Sequence, residues 1–296
     1  RHRRDFDQDH EGTDITFGTL TGYPCCFSNM HQGWPKFTQH LWYATPDNGI
    51  AAFTYSPSEV TAKVGNNVSV VISEDTYYPM DNRISFTIKE VKNKTKQVEF
   101  PLHLRIPKWC KRAEIIVNGK AEQYIEGGRI AVINRIWKRN DNVELHLPME
   151  VSTSTWYENA VTIERGPLVY ALKIKENWKK ENLNNSWYGP HYYQVTSSEP
   201  WNYGLVDFDR SQVNKIAQVS IDSQKQQSIF PWNQENAPIE IKMKARLIPT
   251  WTVHNEMAGP QPFSFCNGAE GEEQEITLIP YGCTTLRISE FPIVGK

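Results

Sequence analysis

The sequence predicts a mainly β fold in which two antiparallel β-sandwich domains follow a short helical segment. Short runs with alternating or β-branched residues recur from position 50 onwards. Turn residues separate these runs, and Asn118-Gly119 is the strongest hairpin signal among them. Apolar residues at helical spacing occur before Asp47. Strands that follow one another at this spacing favour antiparallel sandwiches over a parallel sheet.

The segment before Asp47 predicts a loop followed by a helix. The helix begins either at an N-cap offered by Ser28-Asn29 or with Pro35 as a first-turn residue. We expect this helix to end near Tyr43, because residues 45–49 have turn chemistry. One face of the helix would carry Trp34, Phe37 and Leu41.

The rest of the sequence divides into two sets of predicted strands. The first set is 50–55, 59–64, 68–73, 84–89, 99–106, 113–117, 123–125, 129–133 and 143–147. The second set is 160–163, 168–173, 239–248, 276–279 and 285–288. Residues 148–157 predict a crossover, and the polar stretch 176–236 predicts long loops with a weak strand signal at 216–221. We therefore place the first sandwich at 47–155 and the second at 156–296, with 1–46 as the end of a helical domain.

The composition limits the classes of function. At about 100–200 residues per domain, a chain of 296 residues suggests two domains, and 39% hydrophobic residues suffice for their cores. A net charge of −2 without a basic patch argues against a nucleic-acid partner. No apolar run approaches the roughly 18 residues of a membrane span. The ten tryptophans either cover the faces of sugar rings or fill cores.

Cysteine is the most informative residue type. The five cysteines form an odd number, which argues against a simple disulfide framework. Cys110 and Cys283 lie beside strand-like runs, which predicts small buried side chains. Cys266 lies in a polar region that contains glycine, and we assign it no role. Cys25 and Cys26 are adjacent and precede the predicted helix.

The adjacent Cys25 and Cys26 can be connected to chemistry. A helix N-terminus favours thiolate over thiol, and thiolates bind zinc strongly. Two ligands do not complete a zinc site, however, and neither His31 nor the nearby acidic residues have a recognised spacing to the pair. We therefore leave His31 out of the site. The residues alone leave three interpretations of this cysteine pair open: two buried free thiols, a strained vicinal disulfide or a zinc site.

The motif around the cysteine pair resembles a known signature. Residues 23–36 read YPCCFSNMHQGWPK, which resembles the Cys-Cys signature of glycoside hydrolase family 127, whose type activity is β-L-arabinofuranosidase. Four later stretches resemble the same family in the same order. They are LRIPKW at 104–109, VNGK at 117–120, ERGPLVY at 164–170 and IPYGC at 279–283.

The resemblance implies a fold and a mechanism. It implies an α/α barrel, of which residues 1–46 would be the C-terminal end, followed by two β-sandwiches. It also implies zinc held by three Cys and one Glu, and a retaining double displacement in which a thiolate attacks the anomeric carbon while a Glu serves as acid/base. By position, Cys25 would be the nucleophile and a zinc ligand, and Cys26 the second zinc-binding Cys. The usual retaining enzyme instead uses two carboxylates.

The family's other zinc ligands and its acid/base Glu precede this motif, and nothing before Cys25 matches them. We therefore expect the chain alone to be inactive and to bind zinc weakly or not at all, with zinc present in the intact enzyme. The expected partners are arabinose-containing or related plant glycans. The sugar specificity, the substrate-binding residues and the oligomeric state stay open.

Two further questions stay open on the sequence. Sequons at Asn67, Asn93 and Asn184 are too common by chance to decide the compartment, and we favour a bacterial periplasmic or secreted location over a cytoplasmic one. Competing hypotheses are a non-catalytic carbohydrate-binding or scaffolding β-sandwich protein and a purely structural fragment. Helical hairpins with a Glu-x-Cys pattern immediately upstream would decide for the enzyme.

Overall fold

The computed structural model describes residues 17–18, 29–185, 189–206, 208–254, 257–265 and 269–295. The chain divides into two compact units. The first unit is Gln32–Glu150, and the second unit consists of Arg1–His31 and Val151–Lys296. Among the described residues, no helix is both long enough and apolar enough to cross a membrane.

Strands dominate both units. Up to residue 150 the strands are β1 Phe17–Gly18, β2 Trp42–Ala44, β3 Ile50–Ala52, β4 Ser58–Val64, β5 Val68–Thr76, β6 Arg83–Lys92, β7 Gln97–Arg105, β8 Arg112–Val117, β9 Lys120–Glu126, β10 Ile130–Lys138 and β11 Asn142–His146. The later strands are β12 Val151–Thr155, β13 Val161–Arg165, β14 Leu168–Leu172, β15 Asn177–Asn185, β16 Gly189–Thr196, β17 Tyr203–Leu205, β18 Gln218–Ile221, β19 Ile239–Leu247, β20 Val253–His254, β21 Met257–Ala258 and β22 Glu270–Pro280. The short helices are α1 Gly33–Gln39, α2 Val213–Ile216 and α3 Ser223–Gln226.

The first unit is a β-sandwich. One of its sheets has the strand order β10-β7-β3-β2, and the other has the order β4-β5-β6-β11-β8-β9. Buried residues from both sheets, among them Phe86, Leu102 and Trp137, form one core. Asn118 and Gly119 have φ angles of 51° and 77° and make the predicted hairpin turn between β8 and β9.

The second unit is built on a large antiparallel sheet with the order β12-β13-β14-β22-β19-β17, in which β18 also pairs with β19. A three-stranded sheet, β1-β16-β15, and the two-stranded β20-β21 complete the described strands. The predicted mainly β fold is therefore confirmed, and the named strands of the described residues pair antiparallel except β3 and β7, which are parallel.

Helix α1 is shorter than predicted. It ends at Gln39 rather than near Tyr43, because the chain continues as β2, which pairs with β3. The predicted apolar face of this helix is not buried against the described residues. Trp34 is 72% exposed and Phe37 is 39% exposed, while the buried Leu41 follows the helix.

Three predictions after residue 147 are wrong. The predicted crossover at 148–157 contains β12, which pairs with β13. The predicted loop region 176–236 contains the β15–β16 hairpin, whose polar strands carry no alternating apolar pattern but are joined by a Trp178–Tyr193 ring contact at 5.7 Å. Residues 285–288 form no strand, because the side chain of Glu176 accepts the backbone N–H groups of Thr285 and Leu286.

Candidate functional site

The predicted catalytic and zinc-binding residues, Cys25 and Cys26, lie outside the described residues, as does Cys266. The described chain resumes at Asn29, and His31 is exposed in a turn before α1. In the described part of the chain, no three His, Cys, Asp or Glu side chains are placed to hold one metal ion. The zinc site at Cys25 and Cys26 therefore stays a prediction.

Cys110 and Cys283 are free and buried, which confirms their predicted structural role. Burial raises the pKa of the Cys283 thiol to about 11, and the thiol donates to the Pro231 carbonyl oxygen at 3.2 Å. Burial also raises the pKa of Cys110. Because a thiolate rather than a thiol is the nucleophile, neither residue is suited to nucleophilic catalysis at neutral pH.

The first unit contains a buried carboxyl group, Glu74 on β5, which is 3% exposed. Its two oxygens accept hydrogen bonds from the Ser56 backbone N–H at 2.9 Å and from the Ser58 hydroxyl at 3.3 Å. Burial raises the pKa of Glu74 from 4.5 to about 8, and these hydrogen bonds lower it only in part. The carboxyl group is therefore mostly protonated at neutral pH.

The surroundings of Glu74 indicate a structural role. The Trp42 indole N–H donates to the Ser58 hydroxyl at 3.0 Å, so that the hydrogen bonds continue into β2. The nearby Tyr55 hydroxyl donates to the Arg105 carbonyl oxygen at 2.6 Å. Perturbed carboxyl groups often mark active sites, but this one is enclosed and its oxygens are already bonded to the protein.

The second unit contains a cleft of about 820 Å³, which we call the Trp201 cleft. Its described lining comes from the loop 197–202, the end of β19 with the β20–β21 hairpin, and residues 281–288. Most of the lining is apolar, and Glu199, Asn202 and Arg287 add polar groups. A concave site of this size with a few polar groups in an apolar lining is typical of ligand binding.

Glu176 holds one wall of the Trp201 cleft in place. Its Oε1 accepts hydrogen bonds from the Thr285 N–H at 2.5 Å, the Leu286 N–H at 3.1 Å and the Thr284 hydroxyl at 3.0 Å. Its Oε2 accepts from the Trp178 indole N–H at 3.0 Å. Because the carboxylate satisfies two backbone N–H groups, this segment can line the cleft without a partner strand.

Asn202 and Trp251 hold the lining segment around Trp201 in place. The Asn202 side-chain amide donates to the Ile248 carbonyl at 2.9 Å and to the Trp251 carbonyl at 3.1 Å. The Trp251 indole N–H donates to the Gly259 carbonyl at 3.0 Å. The Trp201 ring packs edge to face on Trp251, with centroids 5.0 Å apart. Trp201 is thus held in one orientation while it lines the cleft.

No sequence motif connects the residues that build this cleft, because they come from separate segments of the chain. The available signal was the abundance of Trp in the polar stretch 176–236, which the sequence placed in loops without identifying single residues.

A family model matches most of the first unit. Residues 49–149 match the model described as "Beta-L-arabinofuranosidase, GH127 middle domain". The chain resembles the C-terminal portion of GH127 glycoside hydrolases. No curated protein shows significant similarity to the sequence.

Solved GH127 structures share the fold. A GH127 β-L-arabinofuranosidase from Geobacillus stearothermophilus T6 aligns with a TM-score of 0.61 and 21% identity, over 97% of this chain and 40% of its own. A GH127 β-arabinofuranosidase aligns with a TM-score of 0.60 and 19% identity, over 93% and 39%. A further glycoside hydrolase gives a TM-score of 0.58 and 22% identity, over 93% and 41%. The chain therefore spans about 40% of the length of these three solved structures.

Proposed function

We propose that this chain is the C-terminal portion of a retaining glycoside hydrolase that acts on β-L-arabinofuranosides or related plant glycans. The match of residues 49–149 to the GH127 middle domain is the observation that carries the proposal. Two of the solved structures that share the fold are described as arabinofuranosidases, which supports it. The YPCCFSNMHQGWPK motif at 23–36 supports the assignment of the chemistry to cysteine.

In the proposed reaction, the thiolate of Cys25 attacks the anomeric carbon of the arabinofuranoside. A carbon–sulfur bond forms while the bond to the leaving oxygen breaks, and a carboxylic acid of the intact enzyme protonates that oxygen. Water then attacks the same carbon, the carboxylate accepts its proton, and the carbon–sulfur bond breaks. Two inversions at one carbon retain its configuration.

Cys25 and Cys26 are the residues of this chain that we propose as zinc ligands. Zinc bound to these thiolates would keep Cys25 deprotonated at neutral pH. Two cysteines do not fill a shell of four ligands. We propose that the other ligands and the acid/base carboxyl group belong to the part of the related enzymes that this chain does not span.

Substitutions in the intact enzyme test the two cysteines. We expect Cys25→Ser to abolish hydrolysis of an aryl β-L-arabinofuranoside without recovery on zinc addition, because the nucleophile is lost. Cys26→Ser should lose both zinc and activity, because the metal would be left with too few ligands. Cys266→Ser is the matched control and should retain both. Elemental analysis and initial rates are the measurements, and a metal-free but fully active wild-type enzyme would contradict the zinc-thiolate mechanism.

A further inference from the structure

Trp201 presents an aromatic surface to its cleft. Its ring packs on Trp251 and on the small apolar core around Ile248, and the remainder lines the cleft. In the part of the chain that the structure describes, no acceptor binds its indole N–H. An aromatic ring with a free polar edge suits a ligand that has apolar faces and polar edges.

Arg287 supplies fixed hydrogen-bond donors to the same cleft. Its Nε–H is directed at the Thr284 carbonyl at 2.7 Å and the Tyr281 carbonyl at 3.2 Å. The guanidinium carbon lies 4.5 Å from the centroid of the Tyr281 ring. The terminal N–H groups have no partner among the described residues, so this anchored guanidinium keeps donors for a ligand.

Glu199 supplies an acceptor. Its Oε2 accepts the Lys175 backbone N–H at 3.0 Å, and its own backbone N–H donates to the Ser197 hydroxyl at 3.0 Å. No described residue donates to Oε1. Glu199 and Arg287 are the charged side chains of the described lining, and they form no ion pair with each other. The lining therefore balances one positive charge against one negative charge.

We propose that the Trp201 cleft binds a neutral glycan, a function that does not depend on the cysteine chemistry. Ring faces of the glycan pack on Trp201 and on the apolar wall formed by Val253 and Met257. Its hydroxyl groups accept from Arg287 and donate to Glu199. The balanced charges give no preference to a polyanion or a polycation. A volume of about 820 Å³ is within the range of small-ligand sites, which corresponds to a short oligosaccharide.

Titration calorimetry with the purified chain tests the proposal. The neutral probes are arabinohexaose, xylohexaose and cellohexaose, with a galacturonic acid hexamer as the acidic probe and a glucosamine hexamer as the cationic probe. We expect saturable binding of at least one neutral hexasaccharide and weaker binding of both charged probes. Arg287→Ala and Glu199→Gln should each weaken the neutral complex about tenfold, because each removes hydrogen bonds to the ligand. Trp201→Ala should weaken it at least as much.

Matched controls separate the cleft from general effects. Lys215→Ala removes a positive charge and Trp156→Ala removes an exposed aromatic ring, both outside the described lining, and both should retain wild-type affinity. Circular dichroism checks the fold of Trp201→Ala. If that variant unfolds, the affinities of Arg287→Ala and Glu199→Gln test the proposal, because both side chains are exposed. Failure to bind any neutral probe, preference for a charged probe, or equal losses in the control variants would overturn the proposal.

Discussion

In the first unit, burial opposes ionisation of the Glu74 carboxyl group. Its pKa in the folded chain is about 8, above the ordinary value of 4.5, because burial disfavours the charged carboxylate. Between pH 4.5 and 8 the folded state therefore binds more protons than the unfolded state. The contribution of Glu74 to the free energy of unfolding is therefore fully present below about pH 4.5 and is lost as the pH rises through about 8.

We predict that Glu74→Gln removes this loss of stability. A Gln side chain still accepts from the Ser56 N–H but does not ionise, so its contribution to the free energy of unfolding should not change between pH 5 and 9. For the wild type, the contribution of Glu74 should fall over the same interval by an amount on the order of a few kcal/mol. Urea unfolding at both pH values measures the difference.

The control for Glu74 is the exposed Glu59 on the neighbouring β4. Glu59→Gln removes the same charge from the surface and should leave the wild-type pH dependence in place. If Glu74→Gln leaves the pH dependence of the free energy of unfolding unchanged, ionisation of the buried Glu74 carboxyl is not the cause of that dependence.

At the scale of elements, the β8–β9 hairpin depends on the positive φ of 77° at Gly119. A Cβ at this position would meet no atom within 4 Å. A side chain there would therefore destabilise the fold through the unfavourable positive φ angle and not through steric crowding. We predict that Gly119→Ala lowers the free energy of unfolding of the first unit by about 1 kcal/mol. Chemical denaturation of the chain measures it.

Gly33 in α1 is the matched glycine. A Cβ there also meets no atom within 4 Å, and its backbone is helical. Gly33→Ala should therefore be neutral or slightly stabilising. Equal destabilisation by both substitutions would mean that the φ angle at Gly119 is not the cause.

The elements of the first unit could be predicted because their strands alternate clearly between buried and exposed residues. Asn118-Gly119 fixed one turn by its own backbone preference. The second unit was harder for a physical reason. Its β15–β16 hairpin has no alternating apolar pattern in its sequence, and the segment after Cys283 is held by Glu176 from far away in the sequence. Tertiary contacts of this kind leave no local pattern, which is also why the Trp201 cleft could not be predicted.

At the scale of the whole molecule, the chain spans about 40% of the length of each solved structure compared with it above. The resemblance of the cysteine motif to a family signature implies further zinc ligands and an acid/base carboxyl group, which we propose lie in the part of the related enzymes that this chain does not span. We predict that the purified chain does not hydrolyse aryl β-L-arabinofuranosides and holds substoichiometric zinc. Rate assays and elemental analysis test this. The prediction is contradicted if the purified chain hydrolyses the substrate and Cys25→Ser abolishes this hydrolysis.

The covalent intermediate tests the central claim most directly. An activated arabinofuranoside with fluorine beside the anomeric carbon should slow the second displacement and let the glycosyl-enzyme accumulate in the intact protein. Peptide mass spectrometry should then find one fluorinated arabinofuranosyl group on Cys25 in the wild type and none in Cys25→Ser. An adduct on a carboxylate side chain, with Cys25 unmodified, would contradict the proposed cysteine nucleophile.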